Sequence, residues 1–231
     1  MWTFLLCFSC TVQSTPDQTS TDNTTETVAE TSEHPIKKVA VDEDKPRIII
    51  LGDSLTAGLG LDVSKAYPAL VEHQLGELGY PTEILNAGQS GDTTAGGLRR
   101  VDWLLKQHPD LLIVELGAND GMRGIPLAEI EKNLNGIIDK AQVNDTPVFL
   151  MDMYIPSNFG QEYTDGFHAI YTKISKEQNI PLIPFMLQNV AGKPELNQAD
   201  GIHPTAEGHE LMADIVLKGV KDWRTEWTPV P

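Results

Sequence analysis

Apolar and polar positions follow two periods along this chain, and the change from one to the other marks its elements. Ile48, Ile49, Ile50 and Leu51 form an unbroken apolar run, so residues 47–51 read as a strand buried on both faces, as in the middle of a parallel sheet. Residues 67–78 carry Leu70, Val71, Leu75 and Leu78 at helical spacing, and Gly79 follows as a stop. Residues 83–86 read as a short second strand. Residues 94–107 read as a helix with Leu98, Val101, Leu104 and Leu105 on one side. Another apolar run, 111–116, is the third strand. Pro126 stands where a helix start tolerates proline, and Ile130, Leu134, Ile137 and Ile138 form the buried stripe of a helix reaching about Val143. The pattern then predicts a fourth strand at 148–153, a helix at 167–177, a fifth strand at 181–183 and a last helix at 204–223, with Leu211, Ile215 and Leu217 inward. Strands alternating with helices are the signature of the α/β class. A five-stranded parallel sheet with right-handed crossovers and helices on both faces is expected.

This pattern begins only at Lys45. Residues 11–44 are rich in Thr, Ser, Asp and Glu and poor in large apolar side chains, so they are expected to form a disordered acidic tether. Residues 1–10 are apolar but too short to span a bilayer, and read as a truncated signal or lipoprotein-signal remnant. Ser9-Cys10, with Leu5 and Leu6 upstream, resembles a bacterial lipoprotein cleavage site, which makes Cys10 a candidate for lipidation. Cys7 and Phe8 fit that pattern poorly. Export to the periplasm, with a membrane tether through the N-terminus, is the expectation. The folded domain is assigned to 45–231.

Charge narrows the partners. The net charge of −16 over 231 residues argues against nucleic acid, which needs clustered Lys and Arg. The two cysteines, Cys7 and Cys10, leave the rest of the chain without a thiolate nucleophile, a disulfide or cysteine ligands for zinc. No metal or cofactor is expected. The sequence does not set the oligomeric state, and a monomer is the working expectation.

Four loops concentrate small polar residues and glycines. Gly52-Asp53-Ser54 follows the first strand, 86–93 the second, Gly117-Ala118-Asn119-Asp120-Gly121 the third, and Asp200-Gly201-Ile202-His203-Pro204 lies near the C-terminus. Any one of them reads as turn or cap chemistry, and for Asp53 and Ser54 alone the cap is the stronger reading. Together, at one edge of one sheet, they meet the needs of acyl transfer. A serine hydroxyl needs a base, and His203 is the candidate, with Asp200 three residues earlier to hold its tautomer. An oxyanion needs fixed donors, which the N–H groups of Ser54 and Gly91 and the side-chain amide of Asn119 can supply. Asp53, Asp92 and Asp120 read as braces for their loops. His73, His108, His168 and His209 show no carboxylate partner at suggestive spacing and read as surface or core residues. Beyond Asn119 and the fourth strand, Met122, Ile125, Ile155 and Phe159 are candidates to line an acyl groove, or else they pack beneath their loops.

The four blocks resemble those of the SGNH hydrolases, the GDSL esterase/lipase family, whose letters match Ser54, Gly91, Asn119 and His203 here. Gly52-Asp53-Ser54-Leu55, Gly117-Ala118-Asn119-Asp120 and Asp200-Gly201-Ile202-His203-Pro204 carry the resemblance most specifically, and Ser90-Gly91-Asp92-Thr93 and Val114-Glu115-Leu116-Gly117 add to it. It is strongest to the bacterial periplasmic branch of arylesterases, acyl-thioesterases and lysophospholipases, and spans residues 45–223. Ala118 departs from the glycine that many relatives carry before the asparagine. The resemblance implies a flavodoxin-like α/β/α sandwich, a metal-free serine mechanism and small acyl ester, thioester or lysophospholipid substrates. A carbohydrate deacetylase of the same superfamily is the enzymatic alternative. A non-catalytic small-molecule binding module is the alternative from another class.

Overall fold

A computed structural model describes residues 45–228. The expected signal remnant, Cys10 and the expected tether lie outside the described residues. Five strands, β1 (Arg47–Gly52), β2 (Glu83–Gly88), β3 (Leu111–Glu115), β4 (Val148–Met151) and β5 (Leu182–Ile183), form one parallel sheet in the order β2-β1-β3-β4-β5. Seven helices accompany them: α1 (Ser54–Ala57), α2 (Tyr67–Glu77), α3 (Thr94–Leu105), α4 (Ala118–Met122), α5 (Leu127–Val143), α6 (Gln161–Glu177) and α7 (Ala206–Glu226).

The run Ile48–Leu51 shows why β1 sits centrally. Its side chains alternate between two apolar layers. Ile48 and Ile50 pack with Val71, Leu75, Met212 and Val216 of α2 and α7. Ile49 and Leu51 pack with Val101, Leu134, Ile137 and Phe167 of α3, α5 and α6. All four are fully buried, and each such side chain stabilises the fold by about 1.5–3 kcal/mol relative to exposure. The result is the three-layer α/β/α sandwich. The strand order reverses between β1 and β3, the place where an open α/β sheet leaves a crevice at its carboxyl edge.

The last helix is displaced to Ala206–Glu226 from the expected 204–223, and the departures that bear on the site are two. Helix α6 begins at Gln161 rather than at 167, because Gly160 at φ +91° sets the turn and the first turn lacks the apolar spacing that marks a buried helix. The stretch after β3, expected as a loop, opens as the short helix α4, so Asn119 rides in a helical first turn.

Candidate active site

β1 ends in Gly52, which any side chain would crowd: a Cβ there would lie 2.0 Å from Thr56 Oγ1 and 2.5 Å from Glu115 Oε2. This close approach lets the chain turn at once into α1. Asp53 caps that helix, its Oδ1 accepting the Leu55 N–H at 3.0 Å, and Ser54 is the first helical residue.

His203 comes from the opposite end of the sequence. The segment around it folds back on itself, with the Gln198 N–H donating to the His203 carbonyl at 2.7 Å and an antiparallel bridge between Asn197 and Pro204. Gln198 Nε2 then ties this segment to the loop after α1 by donating to the Leu59 carbonyl at 2.7 Å. The outcome is a continuous relay. His203 Nε2 lies 2.9 Å from Ser54 Oγ, and His203 Nδ1 lies 2.7 Å from Asp200 Oδ2. Asp200 Oδ1 accepts the N–H groups of Ile202 and His203, each at 3.0 Å. Those backbone and side-chain hydrogen bonds, led by the His203 N–H, hold the Asp200 carboxyl down at about 2, so it stays ionised and fixes the proton on Nδ1.

The donors converge on the same place. Among the described residues, no hydrogen bond takes the N–H of Ser54 or of Gly91. Gly91 stands at φ +78°, a conformation that suits glycine. Asn119 Nδ2 donates to Asp53 Oδ2 at 3.0 Å, which orients the amide and leaves its second proton for another acceptor. Burial pushes the Asp53 carboxyl up to about 6, against the lowering effect of the Leu55 N–H, His203 and the Asn119 amide.

The loops are braced from behind. Arg100 donates to Asp92 at 2.8 Å and to the carbonyls of Ala87 and Gly52, joining the carboxyl ends of β1 and β2. Asp120 accepts both the N–H and the hydroxyl of Thr94. His209 is buried and accepts the Tyr67 N–H at 3.1 Å, and burial followed by the charge of His203 pushes it down to about 4. His168, which the sequence left without a carboxylate, lies 3.1 Å from Asp152. The two are sixteen positions apart, on α6 and just beyond β4, a pairing that sequence spacing does not display.

Glu115 entered the sequence reading only as part of the block Val114-Glu115-Leu116-Gly117, with no role of its own, and the structure places it beneath the site. It is fully buried at the end of β3, where its Oε2 accepts the Thr56 hydroxyl at 2.7 Å and the Asp53 N–H at 3.2 Å. Thr56 in turn meets the Tyr67 hydroxyl at 2.7 Å. Burial, reinforced by the neighbouring Asp53 charge, raises the Glu115 carboxyl well above its ordinary range. Among the described residues its Oε1 has no hydrogen-bond partner, so the turn holding Ser54 is clamped from below by an acid that favours its neutral form. A charged residue inside the otherwise apolar run 111–116 is the signal that marks it.

Ser54, Gly91, Asn119 and His203 all open onto one cavity of about 670 Å³. Met122 and Ile155 line it. Ile125 and Phe159 do not. Ile125 packs against the core under α4, and its carbonyl accepts the Tyr163 hydroxyl at 2.7 Å. Phe159 sits in a short 3-10 turn ahead of α6. Their places in the wall are taken by Met153, Tyr154, Phe185 and Leu187.

Fold and comparison together define the class: an ester hydrolase of the SGNH type. The chain belongs to the GDSL-like lipase/acylhydrolase family, whose model matches residues 50–211. It is 40% identical over 180 residues to an arylesterase of Vibrio mimicus, covering 78% of this chain and 90% of that one. It is 41% identical over 172 residues to thioesterase 1/protease 1/lysophospholipase L1 of Escherichia coli strain K12, covering 74% of this chain and 81% of that one. Among solved structures, the psychrotrophic esterase EstA from Pseudoalteromonas sp. superposes with a TM-score of 0.75 at 36% identity, covering 79% of this chain and all of that one.

Proposed function

We propose that the protein is an exported serine esterase acting through an acyl-enzyme on Ser54. The observation that carries this reading is the Asp200–His203–Ser54 relay, with contacts of 2.7 and 2.9 Å, at the mouth of an apolar cavity. His203 Nε2 takes the Ser54 proton as Oγ attacks an ester or thioester carbonyl. The N–H groups of Ser54 and Gly91 and the free amide proton of Asn119 receive the oxyanion. His203 then protonates the leaving group, and water, activated by the same imidazole, releases the acid.

The relatives are named for arylesterase, thioesterase and lysophospholipase activities, which supports aryl esters, short- to medium-chain acyl esters, acyl thioesters and lysophospholipids as substrates. The apolar wall of Met122, Ile155 and Phe185 favours an acyl chain over the sugar that a carbohydrate deacetylase would accept. Hydrolysis of p-nitrophenyl esters from acetate to palmitate, with Ser54→Ala as control, tests the reading. A Ser54-dependent rate that peaks at medium chains is expected. Ser54→Ala protein with full activity would refute the mechanism, and a rate confined to acetate would move the reading to a deacetylase. Export, with lipidation of Cys10 as the anchor, is tested by intact-mass analysis of the protein from its native host, where an unmodified Cys10 counts against the anchor.

A further inference from the structure

At one wall of the cavity a carboxylate, an imidazole and a hydroxyl stand side by side, a set that hydrolysis itself does not use. Asp152 stands one residue beyond β4. Its N–H donates to the Ile183 carbonyl at 2.8 Å, and its Oδ1 accepts the Met153 N–H at 3.0 Å. His168 Nδ1, on α6, lies 3.1 Å from that same Oδ1. That Nδ1 is buried, poorly aligned for a hydrogen bond there, and without another partner among the described residues. His168 Nε2 lies 2.9 Å from the Tyr154 hydroxyl. The Tyr154 ring also stacks on the imidazole, with centroids 3.9 Å apart and planes at 23°, and tilts against Phe185 at 5.0 Å. Tyr154 and Phe185 face the cavity, whereas His168 and Asp152 stand behind them.

Tyr154 is 47% exposed and sits in the irregular segment after β4, so little besides these contacts holds it. A carboxylate beside Nδ1 favours the tautomer with its proton there, which makes Nε2 the acceptor for the tyrosine O–H. We propose that His168, anchored on Asp152, is a positioning residue that fixes the Tyr154 ring as a wall of the substrate cavity and thereby sets how well extended apolar groups are accepted. The substrate half of this statement rests on the esterase reading. A ring already in place buries apolar surface against a chain without first being ordered. Ordering a loose side chain on each binding event weakens affinity by about 2- to 10-fold. An acetyl group is too short to use the wall, and a decanoyl group is long enough.

The test uses the full chain and compares p-nitrophenyl acetate with p-nitrophenyl decanoate. In His168→Ala, KM for decanoate should rise about 3- to 10-fold, the scale of one lost hydrogen bond, with kcat and the acetate KM each changing less than about 2-fold. His168→Gln, whose amide oxygen can accept the tyrosine O–H, should recover most of the loss. Tyr154→Phe should reproduce the decanoate effect. Equal losses on both esters, or no loss on decanoate, would overturn the proposal. Calorimetric binding of free decanoate to the Ser54→Ala protein supplies a readout independent of turnover. The same 3- to 10-fold weakening on adding His168→Ala is expected, at about 1.4 kcal/mol per tenfold. Binding that is absent from the Ser54→Ala protein, or unaffected by His168→Ala, would overturn the wall. A parent that binds decanoate in this way but hydrolyses no ester would instead sink only the esterase reading.

Discussion

Asp53→Asn is expected to stabilise the protein near neutral pH while slowing it. Asp53 is only 1% exposed, and burial lifts its carboxyl from 3.8 to about 6. A carboxyl whose folded pKa lies above its unfolded one holds its proton more tightly in the folded state. Its contribution is therefore most favourable below about 3.8 and is lost as pH rises through about 6. The gap between 3.8 and about 6 amounts to about 3 kcal/mol at 1.36 kcal/mol per pH unit. Asparagine carries no charge to desolvate and keeps an oxygen for the Leu55 N–H. Roughly four-fifths of that gap opens between pH 4 and pH 7, so relative to the parent the Tm of the variant should rise over that interval by about 5–10 °C, at roughly 2–4 °C per kcal/mol for a domain of this size.

Turnover moves the other way. The Asp53 oxygen that accepts from Asn119 Nδ2 is replaced by an amide N–H₂, so the Asn119 amide loses what orients it. Complete loss of an oxyanion donor costs about 2.7–4 kcal/mol, which sets the upper bound. Because Asn119 itself remains, a fall in kcat of about 10- to 100-fold is expected. Thermal scans at pH 4 and 7, together with kcat on p-nitrophenyl acetate, measure both effects. A double-mutant cycle with Asn119→Ala shows whether Asp53 acts through that amide, in which case the second substitution adds less than about threefold. A Tm difference that stays constant from pH 4 to 7, or kcat losses that add in full, would refute the reasoning.

Asp200→Asn keeps an oxygen for the N–H groups of Ile202 and His203 but turns an amide N–H₂ toward Nδ1, so kcat should fall by about 10²–10⁴-fold with the fold intact. A loss under tenfold would remove Asp200 from the relay. Glu115→Ala leaves the Asp53 N–H unpaired and the Thr56 hydroxyl with only Tyr67 as partner, and should destabilise by about 2–3 kcal/mol in urea titrations, whereas Glu115→Gln keeps an acceptor, carries no charge and should be near neutral or stabilising. Equal losses from both would argue against a clamp made of hydrogen bonds. Gly117→Ala places a Cβ 1.9 Å from the Tyr171 hydroxyl at a residue with φ +125°, and should cost at least about 2 kcal/mol and disturb Asn119 two residues on. A cost below about 0.5 kcal/mol would show that β3 and α4 relax around it.

How much of this was legible in the sequence depended on how local the cause was. β1 and β3 stood out because strands buried on both faces must be apolar at successive positions, and Ile48–Leu51 and Leu111–Val114 are. The blocks holding Ser54, Asn119 and His203 stood out because turning sharply and presenting a polar group are both local demands, met by adjacent residues. The cavity wall is different in kind. Phe159 falls in the short turn ahead of α6, whose start is set by the Gly160 turn rather than by hydrophobic spacing, while Phe185 reaches the site from beyond β5. Ile125 packs against the core instead of the cavity because the turn after α4 folds back, its N–H donating to the Asp120 carbonyl at 3.1 Å. Glu115 was hidden by the strand around it, although a carboxyl in a fully buried strand must find donors, and the turn containing Ser54 holds the available ones. The same requirement applies to Asp152 and His168: two half-hidden polar groups, far apart in sequence, find each other only once α6 lies against β4. The residues proposed to touch the reacting bond were therefore marked by their own neighbours in the chain, while those that hold them or shape the wall were marked only by the fold.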